Sequence, residues 1–250
     1  LRSKFSNPWM NFSASGTSFG SIIASKHGFD LAVLMSTGRS KFNSNEVFGE
    51  SDTSSIAMIE VQPKNSVPSM QLGWLKENDS SLGLNGSGAF NSSNEKVTSF
   101  VGLSNSYNWM GGKFFTSMYL GVTPGGLNNS GMIRSSSNIK SSAFGLGFLK
   151  SSIFTANDEV IISIDQPLRV ESGRMNLRVP VYRDKERNVL FNSFGFSLSP
   201  SGREVNSSVQ YQSRYNQIGF SLAVGYKSEP YHMKSIRDYW YTSIGFSLKI

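Results

Sequence analysis

Apolar and polar residues alternate along much of this chain with a period of two, which is the repeat of a β-strand. The pattern is clearest in 216–228 and 238–250, where small or polar residues such as Ser243 and Gly245 stand between the apolar ones. Each stretch therefore has one apolar and one polar face. The apolar faces comprise Ile218, Phe220, Leu222, Val224, Trp240, Ile244 and Phe246.

Similar stretches recur between clusters of Gly, Asn, Ser, Asp and Pro, residues that favour turns. Most are longer than the about 5–6 residues usual in soluble sheets and long enough for a tilted strand to cross a bilayer. The pattern predicts an all-β protein with strands at 28–38, 54–62, 69–77, 96–106, 112–122, 138–150, 158–166, 173–183, 189–199, 204–214, 216–228 and 238–250.

Composition favours a membrane environment for these strands. Charged residues make up only 16% of the chain, against about a quarter in an average soluble domain. No apolar run reaches the ~18–20 residues of a membrane-spanning helix. A mean hydropathy of −0.24 is compatible with a barrel, because only alternate residues meet lipid. We therefore predict a closed antiparallel transmembrane β-barrel of about 12 strands (12–14), with the apolar residues named above facing lipid.

Residues 1–27 precede the predicted barrel, 28–250, and two interpretations of them stay open. Successive strands of such a barrel alternate in direction. If the last of twelve strands runs towards the periplasm, the strand at 28–38 runs away from it, and the segment before residue 28 runs towards it. It is then a lead that descends through the pore. Alternatively, Phe19, Ile22 and Ile23 make it a further strand.

The end of the chain carries a sequence signal. Ser243, Gly245, Leu248 and Ile250 resemble the C-terminal signal by which outer-membrane barrel proteins reach their insertion machinery. An aromatic last residue is commoner in that signal, so Ile250 is a departure from it.

A second resemblance covers the chain from about residue 69 to its end. The residues that carry it are Gln166-Pro-Leu-Arg-Val-Glu-Ser-Gly173, Leu177-Arg-Val-Pro180 and Leu198-Ser-Pro-Ser-Gly-Arg-Glu204. They resemble the C-terminal translocator barrel of autotransporters (type V secretion) whose passenger is a subtilisin-like S8 serine peptidase. The resemblance implies a monomeric barrel in the outer membrane of a Gram-negative bacterium that moves or holds its own N-terminal passenger at the cell surface. The partners it implies are outer-membrane lipid or lipopolysaccharide and the barrel assembly machinery.

Two other functions stay open. One is a small porin, or a structural or adhesive outer-membrane barrel without a passenger. The other is a soluble all-β adhesin or binding module. A charged cluster is expected inside or at the mouth of the barrel, where it would hold the lead, restrict the pore or stiffen the wall. It consists of Arg169, Glu171, Arg174, Arg178, Arg203 and Glu204.

The residues predict no catalytic, metal or cofactor site. Gly16-Thr-Ser-Phe-Gly20 has the form of a nucleophile elbow, but no helix pattern follows Ser18. His27 and His232 are isolated, and the chain has no cysteine. The net charge of +7 comes from basic residues scattered singly along the chain, so no nucleic-acid partner is expected.

Overall fold

The computed structural model describes residues 7–13, 16–26, 28–39, 53–64, 67–78, 80–82, 84–85, 95–127, 131–215 and 217–248. It confirms the all-β prediction, and every strand pair is antiparallel. The strands are β1 (Thr17–Lys26), β2 (Phe29–Arg39), β3 (Thr53–Pro63), β4 (Ser69–Glu77), β5 (Ser80–Ser81), β6 (Leu84–Asn85), β7 (Lys96–Trp109), β8 (Gly112–Thr123), β9 (Gly126–Leu127), β10 (Ile133–Ser136), β11 (Ile139–Ser151), β12 (Asp158–Ser172), β13 (Arg174–Arg183), β14 (Val189–Ser197), β15 (Val205–Tyr215), β16 (Ile218–Ser228) and β17 (Tyr239–Leu248). Short 3-10 helices span Pro8–Ser13 and Pro230–His232.

Eleven strands form one large sheet in the order β1-β2-β3-β4-β7-β8-β11-β12-β15-β16-β17. The strands of this sheet are neighbours in the order in which they occur along the chain, so the sheet is a meander, although the chain between β12 and β15 forms the further strands β13 and β14. Its two edges are β1 and β17. Both edge strands run in the same direction, because neighbouring strands alternate in direction and the sheet contains an odd number of strands.

The connections differ between the two ends of the large sheet. At one end, here called the turn end, strands are joined through 27–28, 64–68, 110–111, 152–157 and 216–217. At the other, the loop end, the strands leave 40–52, 78–95, 124–138, 173–204 and 229–238 between them. Every connection at the loop end is longer than every connection at the turn end.

Six of the described strands lie outside the large sheet: four form a second sheet of order β14-β13-β10-β9, and β5 and β6 form a two-stranded sheet. The prediction that 173–183 and 189–199 are strands is close to the observed β13 and β14. Their expected place in one continuous wall is wrong, because β12 pairs directly with β15. The hairpin β13–β14 is part of the long connection 173–204 at the loop end.

Strand β12 also differs from its predicted end at residue 166. It continues through Pro167 to Ser172, and its pairing with β11 shifts register between Ser142 and Phe144. A proline lacks the N–H of a regular ladder and is tolerated where the ladder is irregular. The expected connection at 167–172 is therefore strand.

Within the predicted lead, Thr17–Lys26 forms the edge strand β1, paired with β2. This corresponds to the interpretation of the segment as a further strand. Pro8–Ser13 forms a 3-10 helix that packs against the large sheet. Among the described residues, no helix has the length and apolar character needed to span a membrane.

Candidate functional site

The two faces of the large sheet differ in composition and in burial. On β4 and β7, the side chains of Gln71, Glu77 and Thr98 are buried, whereas their neighbours Leu72 and Trp74 are nearly half exposed. The same alternation continues on β8 and β11. We call the buried side the inner face. The opposite, outer face is apolar, and one of its cross-strand rows consists of Leu31, Val61, Met70, Leu103, Met118 and Phe144.

The helix Pro8–Ser13 lies on the inner face. Asn7 caps it, because its side-chain oxygen accepts a hydrogen bond from the Trp9 N–H at 3.0 Å, and Pro8 stands at the first helical position. Both residues are typical of a helix start. Asn7 also donates from Nδ2 to Gln71 Oε1 of β4 at 3.0 Å.

Trp9 and Phe12 anchor this helix in the sheet's main hydrophobic cluster. Trp9 is fully buried and stacks on Phe100, with ring centroids 4.6 Å apart. The Ser54 hydroxyl donates to the Phe12 carbonyl near the loop end. The helix therefore runs towards the loop end before the chain reaches β1. The cluster comprises Trp9, Phe12, Ile56, Met58, Leu75, Phe100, Tyr119 and Ala143.

Glycines on the inner face make room for these rings. A Cβ on Gly121 would lie 2.4 Å from Cζ2 of Trp9, and one on Gly102 would lie 2.5 Å from the ring of Tyr119. No side chain fits at those distances, because the contacts are with whole aromatic rings.

Beside the helix, the inner face encloses a cavity of about 730 Å³. Polar and apolar side chains both line it. Asn206 donates to Asp165 Oδ2 at 3.1 Å, while the buried hydroxyl of Ser117 has no hydrogen-bond partner among the described residues. A second cavity, of about 820 Å³, lies near the turn end and is lined by residues of β12, β15, β16 and β17. The inner face thus holds space for water or a polar chain.

Part of the predicted charged cluster meets at the loop end. Glu171 accepts from Arg169 and from Arg203, the latter at 2.8 Å. Arg169 also donates to the carbonyls of Gly202 and Pro200, at 2.9 and 3.2 Å. Arg203 donates to Gln166. These bonds tie the end of β12 to the chain that enters β15.

Glu204 belongs to an adjoining group that holds the connection 229–238, here called the strap. Its carboxylate accepts from Tyr231 N–H at 2.6 Å and pairs with Lys227 at 3.4 Å. Its own N–H donates to Nδ1 of His232 at 2.9 Å, so Nε2 carries the proton and donates to the Leu168 carbonyl at 3.1 Å. His232 is a contact that the sequence pattern did not single out.

The strap has an unusual backbone that these bonds maintain. Glu229, Tyr231 and His232 have φ of 44°, 57° and 59°, in the left-handed region. Such conformations cost about 1–3 kcal/mol each and persist where surrounding contacts fix them. Asp238 supplies another contact, accepting from Tyr226 at 2.6 Å and from Glu229 N–H at 2.8 Å. These bonds lower the pKa of Asp238.

The remaining two residues of the predicted cluster lie elsewhere. Arg174 and Arg178 are exposed residues of β13, in the second sheet. The guanidinium of Arg178 lies over the ring of Phe191, 4.2 Å from its centroid. The structure describes no contact of either with the other four charged residues, because β13 leaves the large sheet.

The residues expected to face lipid all lie on the outer face. Leu222 pairs with Ile244, Phe220 with Phe246, and Tyr226 with Trp240. Ring contacts lie towards both ends of this face. Tyr226–Trp240 lies towards the loop end, with Tyr107–Phe114, Trp109–Phe148, Tyr211–Phe220 and Phe220–Phe246 towards the turn end.

The C-terminal signal residues lie on β17. Ser243 and Gly245 point to the inner face and Leu248 to the outer face, whereas Ile250 lies outside the described residues. Ser18 lies in β1 and is followed by strand, which is not the strand–turn–helix context of a nucleophile elbow. Among the described residues, no group of His, Asp or Glu has the geometry of a metal site.

Comparison with models of protein families, with curated proteins and with solved structures finds no match to this chain.

Proposed function

We propose that this chain is an outer-membrane β-barrel, formed when the large sheet closes on itself with its apolar outer face in lipid. The observation that carries the proposal is the exposure of the apolar outer face of the sheet, opposite an inner face on which charged and polar side chains are buried. Polar Glu77 and Thr98 are buried, whereas Met118 is 51% and Leu120 45% exposed. In water, apolar surface that stays exposed lacks the about 25 cal/mol per Å² of stabilisation that its burial would give. In a bilayer the same surface is solvated.

Three further features support a bilayer environment. The strands are long, aromatic rings lie near both ends of the outer face, and short turns at one end oppose long connections at the other. Outer-membrane barrels combine these features. By that rule the loop end faces the cell exterior.

Closure of the barrel involves the edges β1 and β17. Because these strands run in the same direction, a direct seam between them is parallel. One additional strand running the opposite way would give antiparallel pairing throughout and the even number typical of bacterial single-chain barrels.

The barrel acts as the translocator and anchor of an autotransporter-like protein whose passenger lies ahead of Leu1. The helix Pro8–Ser13 supports a lead held on the inner face, where Trp9 and Phe12 are buried. Because this helix runs towards the loop end, an external passenger requires the chain ahead of Asn7 to turn back towards that end. The mechanism is physical. Lipid stabilises the outer face, and the inner face holds the lead through the buried Trp9 and Phe12 while its cavities leave room for water or a further stretch of chain. Lipopolysaccharide and the barrel assembly machinery are the partners of such a protein.

An epitope fused ahead of Leu1 tests this function in intact Gram-negative cells. We expect external protease to remove the epitope while the barrel stays in the outer-membrane fraction. Trp9→Ala is the matched variant, because it removes the stacking contact with Phe100 that keeps the start of the described chain on the inner face and leaves the outer face unchanged. An epitope that stays protected in intact cells but is cut after lysis contradicts translocation.

The two cavities on the inner face favour a second candidate, a small porin without a passenger. Conductance of the reconstituted protein, with and without residues 1–13, separates the two functions. The deletion stops before β1, because that strand is part of the large sheet. A translocator should conduct weakly until residues 1–13 are deleted. A porin should conduct equally with and without these residues.

A further inference from the structure

The second sheet is amphipathic, and it projects from the large sheet at the loop end. In the hairpin β13–β14, Met175 pairs with Phe196 and Leu177 with Phe194, which gives one apolar face. Ile133 of β10 extends that face, since it pairs with Leu177. The opposite face carries Arg174, Asn176 and Arg178 across from Ser197, Gly195 and Ser193.

The apolar face is open. Phe194 is 52% and Phe196 41% exposed, and the main contacts of β13 are with β14 and β10 within the same sheet. No described element of the large sheet covers these rings. Exposed apolar patches of this kind mark contact sites for a membrane or another protein.

The same sheet is strongly basic. Its strands and the turn between β13 and β14 contain Asp184 and Glu186 as their only acidic residues, opposed by Arg134, Arg174, Arg178, Arg183, Lys185 and Arg187. Asp184 accepts hydrogen bonds from the N–H and Nδ2 of Asn188, at 2.7 and 2.9 Å, and is thus engaged within the turn. Much of the chain's net charge of +7 therefore belongs to this one projection.

We propose that the second sheet rests with its apolar face on an anionic lipid surface, where Arg183, Lys185 and Arg187 at its peripheral turn contact phosphate-bearing headgroups. Apolar residues on one face together with a basic periphery are the features of an interfacial membrane element. Attachment beside the Tyr226–Trp240 end of the outer face puts the sheet next to the expected lipid boundary. This inference rests on the proposed barrel for the position of that boundary. A protein partner is less well matched, because it offers no general reason for the basic excess.

Single-cysteine labelling tests the proposal, and the natural chain contains no cysteine that would interfere. Phe194→Cys is labelled with bimane in the full chain and reconstituted into vesicles that contain a doxyl-lipid quencher. One vesicle set is phosphatidylcholine alone, and the other contains a quarter phosphatidylglycerol. Asn176→Cys reports the opposite face of the same sheet, and Ile244→Cys reports the outer face of the barrel.

We expect the Phe194 label to be quenched in the anionic vesicles and much less in phosphatidylcholine alone. The Asn176 label should remain unquenched in both. Combined Arg183→Glu, Lys185→Glu and Arg187→Glu should reduce the Phe194 quenching to the level of Asn176. Added salt should weaken it, because exposed charges are screened within about 10 Å at 0.1 M.

The outcomes separate this inference from the barrel itself. Quenching at Ile244 but not at Phe194 overturns the lipid contact and leaves the barrel intact. Quenching at Phe194 in anionic vesicles without quenching at Ile244 supports the lipid contact and rejects the barrel. An unquenched Phe194 label whose emission shifts with protein concentration assigns the face to a second copy of the chain and overturns the proposal.

Discussion

Trp9 lies flat on Phe100, with ring centroids 4.6 Å apart and an interplanar angle of 5°. This contact joins a six-residue helix to the middle of an eleven-stranded sheet. It is the main reason why the start of the described chain stays on the inner face, and it gives the first two predictions.

Trp9→Ala should reduce the free energy of unfolding by about 3–5 kcal/mol if the helix stays in place around the cavity. If the helix instead leaves the sheet, the loss in stability is smaller and the inner face opens. Denaturant unfolding and single-channel conductance, measured on the same preparation, distinguish these results. A variant with unchanged stability and unchanged conductance would contradict the observed packing.

Gly121→Val should displace the helix, because even a Cβ at this position lies 2.4 Å from the Trp9 ring. The expected result is increased protease cleavage within residues 7–13 in the folded protein. Gly20→Ala is the matched control, since its Cβ would meet the nearest atoms at 3.7 Å. Equal cleavage in the two variants would show that Trp9 does not occupy this site.

Charge should be tolerated differently on the two faces of β17. Ile244→Arg places a guanidinium on the outer face and should cost about 2–4 kcal/mol near the bilayer midplane. Ser243→Arg, one residue away on the inner face, should cost far less. Unfolding of the reconstituted protein measures both. Equal costs would reject the assignment of faces.

The strap should loosen as the pH falls through about 6.5, the ordinary pKa of histidine. Burial lowers the pKa of His232, and the nearby Arg169 and Arg203 act in the same direction while Glu204 opposes them. A lowered pKa in the folded state means that the stabilisation is full above the unfolded pKa and declines below it. Asp238 stays ionised in this range, because its own pKa is also lowered.

Hydrogen exchange at the Glu204 and Tyr231 amides measures this opening between pH 7.5 and 5. His232→Gln is the matched variant, because its side-chain amide can accept from Glu204 N–H and donate to Leu168 without titrating. Exchange in that variant, corrected for intrinsic rates, should be independent of pH. An identical pH dependence in both proteins would assign the effect to another group.

Glu171→Gln should destabilise the loop end by about 1–3 kcal/mol, because it removes the charged acceptor shared by Arg169 and Arg203. Only 11% of the Arg169 side chain is exposed, so water replaces the lost partner poorly. Glu159→Gln, in the same strand at the turn end, is the control. A loss of stability no larger than that of the control would show that the ion pairs are only surface contacts.

Much of the large sheet follows from local pattern. The alternation in 216–228 and 238–250 predicts β16 and β17 within a few residues and assigns their faces as the structure has them. Strand β1 is harder to predict, because a bulge between Ile22 and Ala24 breaks its period. Pro167 suggests an end for β12, but pairing with a neighbouring strand carries the strand past it.

The arrangement of β13 and β14 could not be predicted in the same way. Their alternation predicts strands correctly, but the choice of sheet depends on the pairing of β12 with β15, which are distant in sequence. For this reason Arg174 and Arg178 separate from Arg169 and Glu171. The helix Pro8–Ser13 is too short for a periodic signal, although Asn7 followed by Pro8 is a recognisable helix start.

Cysteine scanning along β17, from Tyr239 to Leu248, tests the central claim most directly. Each single-cysteine protein is reconstituted, labelled with bimane, and exposed in turn to a lipid-soluble and a water-soluble quencher. We predict that Trp240, Thr242, Ile244, Phe246 and Leu248 respond to the lipid quencher, and that the intervening positions respond to the aqueous one. Equal responses of both sets to the aqueous quencher would contradict a barrel whose outer face lies in lipid.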